Sequence, residues 1–169
     1  SKTLVSDCHP ISPLELAYRF LLSQGISTVT LGANKIQDFQ IAKTLINANY
    51  PLTKLEKNVI NKLKQKSKER LGNTFCGQCK DCLPCPNEIP IPEILRLRNL
   101  CIGMDLNSFT KERYNLIGRA GHWWEKNNAS ACQNCGECLP RCPHNLDIPE
   151  LLKETHRKLV DNPKRRLWG

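Results

Sequence analysis

Aromatic residues fill only 6% of the 169 positions, and methionine occurs once. With so few flat rings, and none within its main basic stretch, the chain lacks the stacking platform on which single-stranded nucleic acid is held, so no nucleic-acid partner is expected. Long apolar runs are missing as well: no stretch approaches the roughly 18 unbroken residues that a membrane-crossing helix needs. The opening Ser1-Lys2-Thr3-Leu4 has none of the basic, apolar and small-residue order of a secretory leader, which places the expected location in the cytoplasm. There is no initiator methionine, and the sequence is expected to be the later part of something longer.

What the chain does have is positive charge and cysteine. Lys and Arg number 25 against 16 Asp and Glu, a formal charge of +9, and the hydrophobic share of 40% is enough for a modest core. Ten cysteines are about 6% of the chain, below the roughly 8–10% typical of a secreted disulfide scaffold, and eight of them crowd into two clusters. In a reducing compartment, thiols grouped this way more often hold metal than pair with one another.

The first fifty residues read as helix, strand, helix. Ser12 is a candidate N-cap with Pro13 at the first helical position and Glu15 three residues after the cap; Leu14, Ala17, Phe20 and Leu21 follow at helical spacing until Gly25. Ile26 to Leu31 is short and β-branched and predicts a strand ending at Gly32, after which Ile36, Phe39, Ala42, Leu45 and Ile46 resume helical spacing. One strand cannot make a sheet, so the segment reads as the last piece of an alternating β/α fold. Residues 51–72 predict a further helix, with Thr53 and Glu56 as a capping box, a stripe of Leu55, Val59, Ile60 and Leu63, and a stop at Gly72. Seven basic side chains against two acidic ones between Lys54 and Arg70 give it a basic face, either solvated or offered to an acidic partner.

From Asn73 onward the chain repeats itself. Cys85-Pro-Asn-Glu-Ile-Pro-Ile-Pro-Glu-Ile-Leu95 aligns without a gap, at an offset of 57, with Cys142-Pro-His-Asn-Leu-Asp-Ile-Pro-Glu-Leu-Leu152. Each copy predicts a cysteine loop feeding a helix, with Pro92 and Pro149 at the first helical position and Glu93 and Glu150 near the positive end of the dipole. Between the copies, Ser108 to Asn128 holds another predicted helix, starting near Ser108 or Thr110, carrying Tyr114, Leu116 and Ile117 and followed by Gly121-His-Trp-Trp124.

The cysteines follow two patterns, Cys76-x2-Cys79-x2-Cys82-x2-Cys85-Pro86 and Cys132-x2-Cys135-x2-Cys138-x3-Cys142-Pro143. The second has the spacing of the bacterial ferredoxin run, in which the fourth cysteine ligates the other cluster. A compact loop with cysteine at every third position can wrap three corners of a cubane while the next cysteine points elsewhere. Cys76, Cys79, Cys82 and Cys142 are therefore assigned to one 4Fe-4S centre, and Cys132, Cys135, Cys138 and Cys85 to the other. Zinc also binds C-x2-C pairs, but a third close cysteine and a Cys-Pro have no use in a structural zinc site; disulfides or free thiols are the remaining alternative. Outside the motifs, Cys8 and Cys101 read as small buried apolar residues, and His9, His122, His144 and His156 show no mutual ligand spacing. Trp123 and Trp124 are expected to pack over a cluster or between the repeats.

The two motifs, each followed by a Pro-Glu helix start, resemble the helical type of dicluster 4Fe-4S ferredoxin domain. The front of the chain, Ser12-Pro-Leu-Glu-Leu-Ala-Tyr-Arg-Phe-Leu-Leu-Ser23, Gly25 to Ala33 and Lys35-Ile-Gln-Asp-Phe39, resembles the last helix-strand-helix of the aldo/keto reductase barrel, and the combination is similar to aldo/keto-reductase-like oxidoreductases that carry a C-terminal ferredoxin domain. The resemblance implies a mainly α chain: residues 1–50 as the end of a (β/α)8 barrel, 51–72 as a basic connecting helix, and 73–169 as an α-helical dicluster ferredoxin-like domain that passes electrons to a redox partner protein or to the parent barrel. It implies no catalysis by this chain alone, because that family's catalytic Asp, Tyr, Lys and His lie on earlier strands. It also implies nucleotide-phosphate contacts at Gly32, Ala33, Asn34 and Lys35, with NADP bound only in an intact barrel, and self-association wherever the barrel fragment is left uncovered. A stand-alone ferredoxin-like carrier is the alternative.

Overall fold

The structure, a computed structural model, describes residues 1–46, 51–119 and 127–161; Tyr50, His122, Trp123 and Trp124 lie outside the described residues. It is mainly helical, with no strand among the described residues. None of its described helices is long and apolar enough to cross a membrane. The chain divides into two compact units, Ser1–Gln65 and Lys66–Gly169.

The first unit contains α1 (Lys2–Cys8), α2 (Pro13–Ser23), a 3-10 turn at Ile36–Phe39, α3 (Gln40–Ile46) and most of α4 (Lys54–Leu71). Helix α2 starts as its sequence predicts: the Ser12 hydroxyl accepts from the Glu15 amide at 3.4 Å and Pro13 opens the first turn. Its buried side is not the predicted one. Leu16 and Arg19 face inward, whereas Leu14 is 55% exposed and Phe20 and Leu21 are exposed too. The reason is a charge pair. The Arg19 guanidinium bonds the Glu56 carboxylate of α4 through Nε, and through Nη2 at 2.8 Å, with only 4% and 6% of the two residues exposed. Glu56 also accepts from the Thr53 amide and hydroxyl at 2.6 and 2.9 Å, so the expected capping box forms and the same carboxylate joins two helices. Cys8, Leu16 and Val59 make the small core around it.

The predicted strand at Ile26 to Leu31 does not form. A β segment needs a neighbour to receive its backbone bonds, and the described residues supply none. The segment instead runs outside regular structure, tied by the Tyr18 hydroxyl donating to the Thr30 carbonyl at 3.0 Å. Of the apolar positions after it Leu45 is buried, but Ile36 is 83% exposed and Ile46 81%.

The second unit carries the larger core. Helix α5 (Ile91–Met104) packs on α6 (Asn107–Tyr114) and α7 (Ile148–Leu159). On α7, Ile148, Leu151, Leu152, Thr155 and Leu159 fall on one face, a stripe with the three-to-four residue period of a core helix. α5 is buried on more than one side because it has two helical neighbours, with Ile91, Ile94, Leu95, Leu97 and Cys101 enclosed. Both helices begin one residue ahead of their prolines, so Pro92 and Pro149 occupy the second helical position, and Glu93 and Glu150 lie in the first turn. α6 stops at Tyr114, short of the expected Leu116 and Ile117, because Asn115 ends it: its side-chain amide donates to the Lys111 carbonyl at 2.7 Å and to the Leu159 carbonyl at 2.9 Å.

A close helix approach sits at Gly103. A Cβ there would collide with Ser67 Oγ and lie 3.1 Å from Leu71 Cδ1, so only glycine allows the end of α4 to lie against α5. Gly103→Val is expected to destabilise the second unit by about 1–3 kcal/mol, read as a lower denaturant midpoint with an unchanged slope. An unshifted midpoint would mean that the helices separate without cost.

Candidate metal centre

The two cysteine motifs adopt the same backbone path. Gln78 and Lys80 have φ of 60° and 71° in the first, and Asn134 and Gly136 have 56° and 78° at the matching places in the second. These left-handed residues turn the chain inward between successive cysteines, a conformation Asn and Gly take more readily than Lys or Gln. Equivalent turns close both loops: the Leu83 amide donates to the Lys80 carbonyl, and the Leu139 amide to the Gly136 carbonyl, each at 3.0 Å. Beyond each Cys-Pro the agreement continues, with Glu88 and Asn145 both at φ 51° and their amides donating to the carbonyls of Cys85 and Cys142 at 2.9 and 3.1 Å. The extra residue of the second motif is taken up by the turn from Leu139 to Cys142, whose amide donates to the Leu139 carbonyl at 3.2 Å. Cys85 and Cys142 thus leave their loops in the same way despite the unequal spacing.

Each departing cysteine arrives at the opposite loop. One hollow is walled by Cys76, Cys79, Cys82 and Cys142 over a floor of Leu95, Leu146 and Ile148. The other is walled by Cys132, Cys135, Cys138 and Cys85, with Cys82 at its edge and Ile91 and Leu152 beneath. About 310 and 330 Å³ respectively is free of atoms, counted out to the open mouth. Burial pushes the Cys82 thiol up to about 11, and the neighbouring Cys76, Cys79 and Cys138 add to the shift. Burial likewise raises Cys76, helped by Cys142 and Cys79, and raises Cys138, helped by Cys132, Cys135 and Cys85. Both cross-contributed sulfurs are therefore close enough to be felt electrostatically.

Crowded, half-buried thiols of this kind resist ionising alone and ionise readily against bound cations, which is the chemistry of a metal-cluster pocket. The donor set fits two 4Fe-4S clusters: four sulfurs per hollow, an apolar floor and no acidic ligand. Among the described residues no three His, Cys, Asp or Glu side chains converge as one ion's ligands would. Sulfurs that bind separate irons of a cube stand further apart than that.

Two anchors hold the loops in place, and neither was anticipated from the sequence. Asn99 of α5 clamps the first ligand at its backbone, its amide donating to the Cys76 carbonyl at 2.8 Å and its oxygen accepting from the Cys76 amide at 3.4 Å. Beside it, buried Arg98 donates to the Thr74 carbonyl at 3.2 Å and pairs with Glu154 of α7 at 2.9 Å. In the second repeat the residue 57 positions after Asn99 is His156. It shares a 2.6 Å hydrogen bond with the Tyr114 hydroxyl, which accepts from the Ala129 amide just ahead of Cys132. Burial pushes the Tyr114 phenol up to about 12, so it remains a neutral donor and acceptor. Extending the repeat by one more helical turn would have drawn attention to both positions. Asn99→Leu is expected to lower iron retention at the first loop by about 10-fold or more under chelator challenge, leaving the second loop unchanged. Equal loss from both loops would contradict a local clamp.

The other expected site residues are less favourably arranged. The amides of Asn34 and Lys35 donate to the Asp38 carboxylate at 2.9 and 3.1 Å, so a phosphate at Gly32, Ala33, Asn34 and Lys35 would have to displace a fixed anion. Cys8 and Cys101 are buried as expected, with the Cys101 thiol donating to Asn107 Oδ1 at 3.0 Å.

Compared with protein-family models, with curated proteins and with solved structures, the chain matches none of them.

Proposed function

We propose that the chain is an iron-sulfur electron-transfer module, the later part of an oxidoreductase similar to the aldo/keto reductases. The observation that carries this reading is the sorting of eight cysteines into two walls, three from one motif and one from the other. Bound there, a 4Fe-4S cluster supplies a site that accepts and releases a single electron, and the reduction potential follows charge, hydrogen bonding and solvent access around it. The protein's own part is to hold and tune. Ile91, Leu95, Leu146, Ile148 and Leu152 keep water from the inner face, and Cys82, lining both hollows, sets the two centres side by side for transfer between them.

The uncovered apolar set of Leu14, Phe20, Leu21, Ile36, Phe39 and Ile46 supports attachment to a larger catalytic body, because preceding strands and helices of a barrel would cover it. The electron partner is then that barrel or a separate redox protein, and the chain alone reduces no carbonyl.

Protein prepared without oxygen should contain about eight iron and eight acid-labile sulfide per chain and absorb broadly in the visible, with bleaching on reduction. A colourless preparation holding only zinc would overturn the proposal.

A further inference from the structure

We propose that each repeat lends the opposite hollow a hydrogen-bond donor as well as a sulfur, His144 to the first centre and Asn87 to the second, and that these two side chains set the two reduction potentials separately. The proposal rests on the iron-sulfur reading of the hollows.

His144 and Asn87 occupy the same place in the repeat, two residues beyond the crossing cysteines Cys142 and Cys85. His144 lines the hollow of Cys76, Cys79 and Cys82, and Asn87 lines that of Cys132, Cys135 and Cys138. Each therefore lies against the loop of the other repeat. No hydrogen bond joins either side chain to a described residue; His144 is exposed and Asn87 half-buried, and in the proposed arrangement the N–H of each serves the group in its hollow.

The seats are matched in size. The His144 ring meets Gly77 tip-first, with Nε2 only 2.7 Å from where a Cβ on that residue would be. In the second loop the place of Gly77 is taken by Gln133, and the crossing side chain is the smaller Asn87. The first loop has given up a side chain to admit an imidazole. Reduction adds negative charge to a cluster and its sulfurs, so an N–H directed at them favours the reduced state and raises the potential. An imidazole at one centre and an amide at the other give two otherwise similar hollows different potentials.

The test is a redox titration of anaerobically prepared full-length chain, followed by electron paramagnetic resonance, with iron content measured on every variant. His144→Leu should lower one of the two midpoints and Asn87→Leu the other. At a fixed applied potential the reduced-to-oxidised ratio of the affected centre should fall about 3- to 10-fold, tenfold being about 59 mV for one electron. His144→Gln, which keeps an N–H, should stay near the parent. Gly77→Ala, which pushes the ring out while leaving every ligand in place, should follow His144→Leu. Fully loaded variants whose midpoints do not move, or that move the same midpoint, overturn the proposal alone. A chain that binds no iron overturns the iron-sulfur reading and this proposal with it.

Discussion

Cys142→Ala should empty the loop that begins at Cys76 rather than the loop in which Cys142 stands. Along the chain Cys142 follows Cys138 by four residues, and the local expectation would give it to the second centre. In space it walls the first hollow, and Cys85 walls the second. Iron is expected to fall from about eight to about four per chain, or to about seven if a three-iron remnant survives. Pairing the variant with a second substitution identifies the centre. Cys142→Ala with Cys79→Ala should lose no more than one cluster, because both remove ligands from the same hollow; Cys142→Ala with Cys135→Ala should lose two. Cys85→Ala should give the reverse result, additive with Cys79→Ala and non-additive with Cys135→Ala. If Cys142→Ala behaves as though it shared a centre with Cys135, the crossing is wrong. If ligation ties the two repeats together as proposed, the same variants should also lower the unfolding temperature of the second unit.

The second large effect concerns the first unit. Glu56→Gln removes one charge of the buried Arg19–Glu56 pair, and removal of one partner of such a pair costs about 3–5 kcal/mol. A core of Cys8, Leu16 and Val59 has little to offset that loss. Amide exchange in α2 and the first turns of α4 should accelerate markedly in the variant. Arg19→Met with Glu56→Leu should recover most of the protection, because neither member of the pair then remains as a lone charge opposite the other. The same pair makes the unit acid-sensitive. Hydrogen bonding from Arg19 is the main reason the Glu56 carboxyl is held down to about 2, against the opposing effect of burial. A group depressed on folding contributes fully above its unfolded value and loses that contribution as pH falls through its folded one. Protection of α2 should therefore decline from about pH 4.5 towards pH 2 and not between pH 5 and 8. Identical acid profiles for the parent and the Arg19→Met, Glu56→Leu double variant would contradict this.

The grouping of the cysteines was legible in the sequence because their spacing is local and the repeat states its boundaries twice. Two helix starts were legible for the same reason, since Ser12 and Thr53 cap within three residues of themselves; the Asp147 cap was not, because Pro149 sits one position later in its helix than expected. The face of α2 was not. Periodicity ranked Leu14, Ala17, Phe20 and Leu21 as the inward side, but Arg19 is drawn inward by a carboxylate 37 positions away, a contact no window of the sequence contains. Nor was the fate of Ile26 to Leu31 legible, since β-branched composition states a preference and pairing requires a second strand. Nor was the place of Gly77 legible, since the ring that a Cβ there would meet belongs to the other repeat.

Anomalous scattering at the iron edge, from crystals of anaerobically prepared protein, tests the crossed caging of two clusters most directly. Two compact four-iron peaks are expected, one bonded by Cys76, Cys79, Cys82 and Cys142 and the other by Cys132, Cys135, Cys138 and Cys85. A single-ion peak in either hollow, or Cys142 bonded to the same iron group as Cys132, would contradict it.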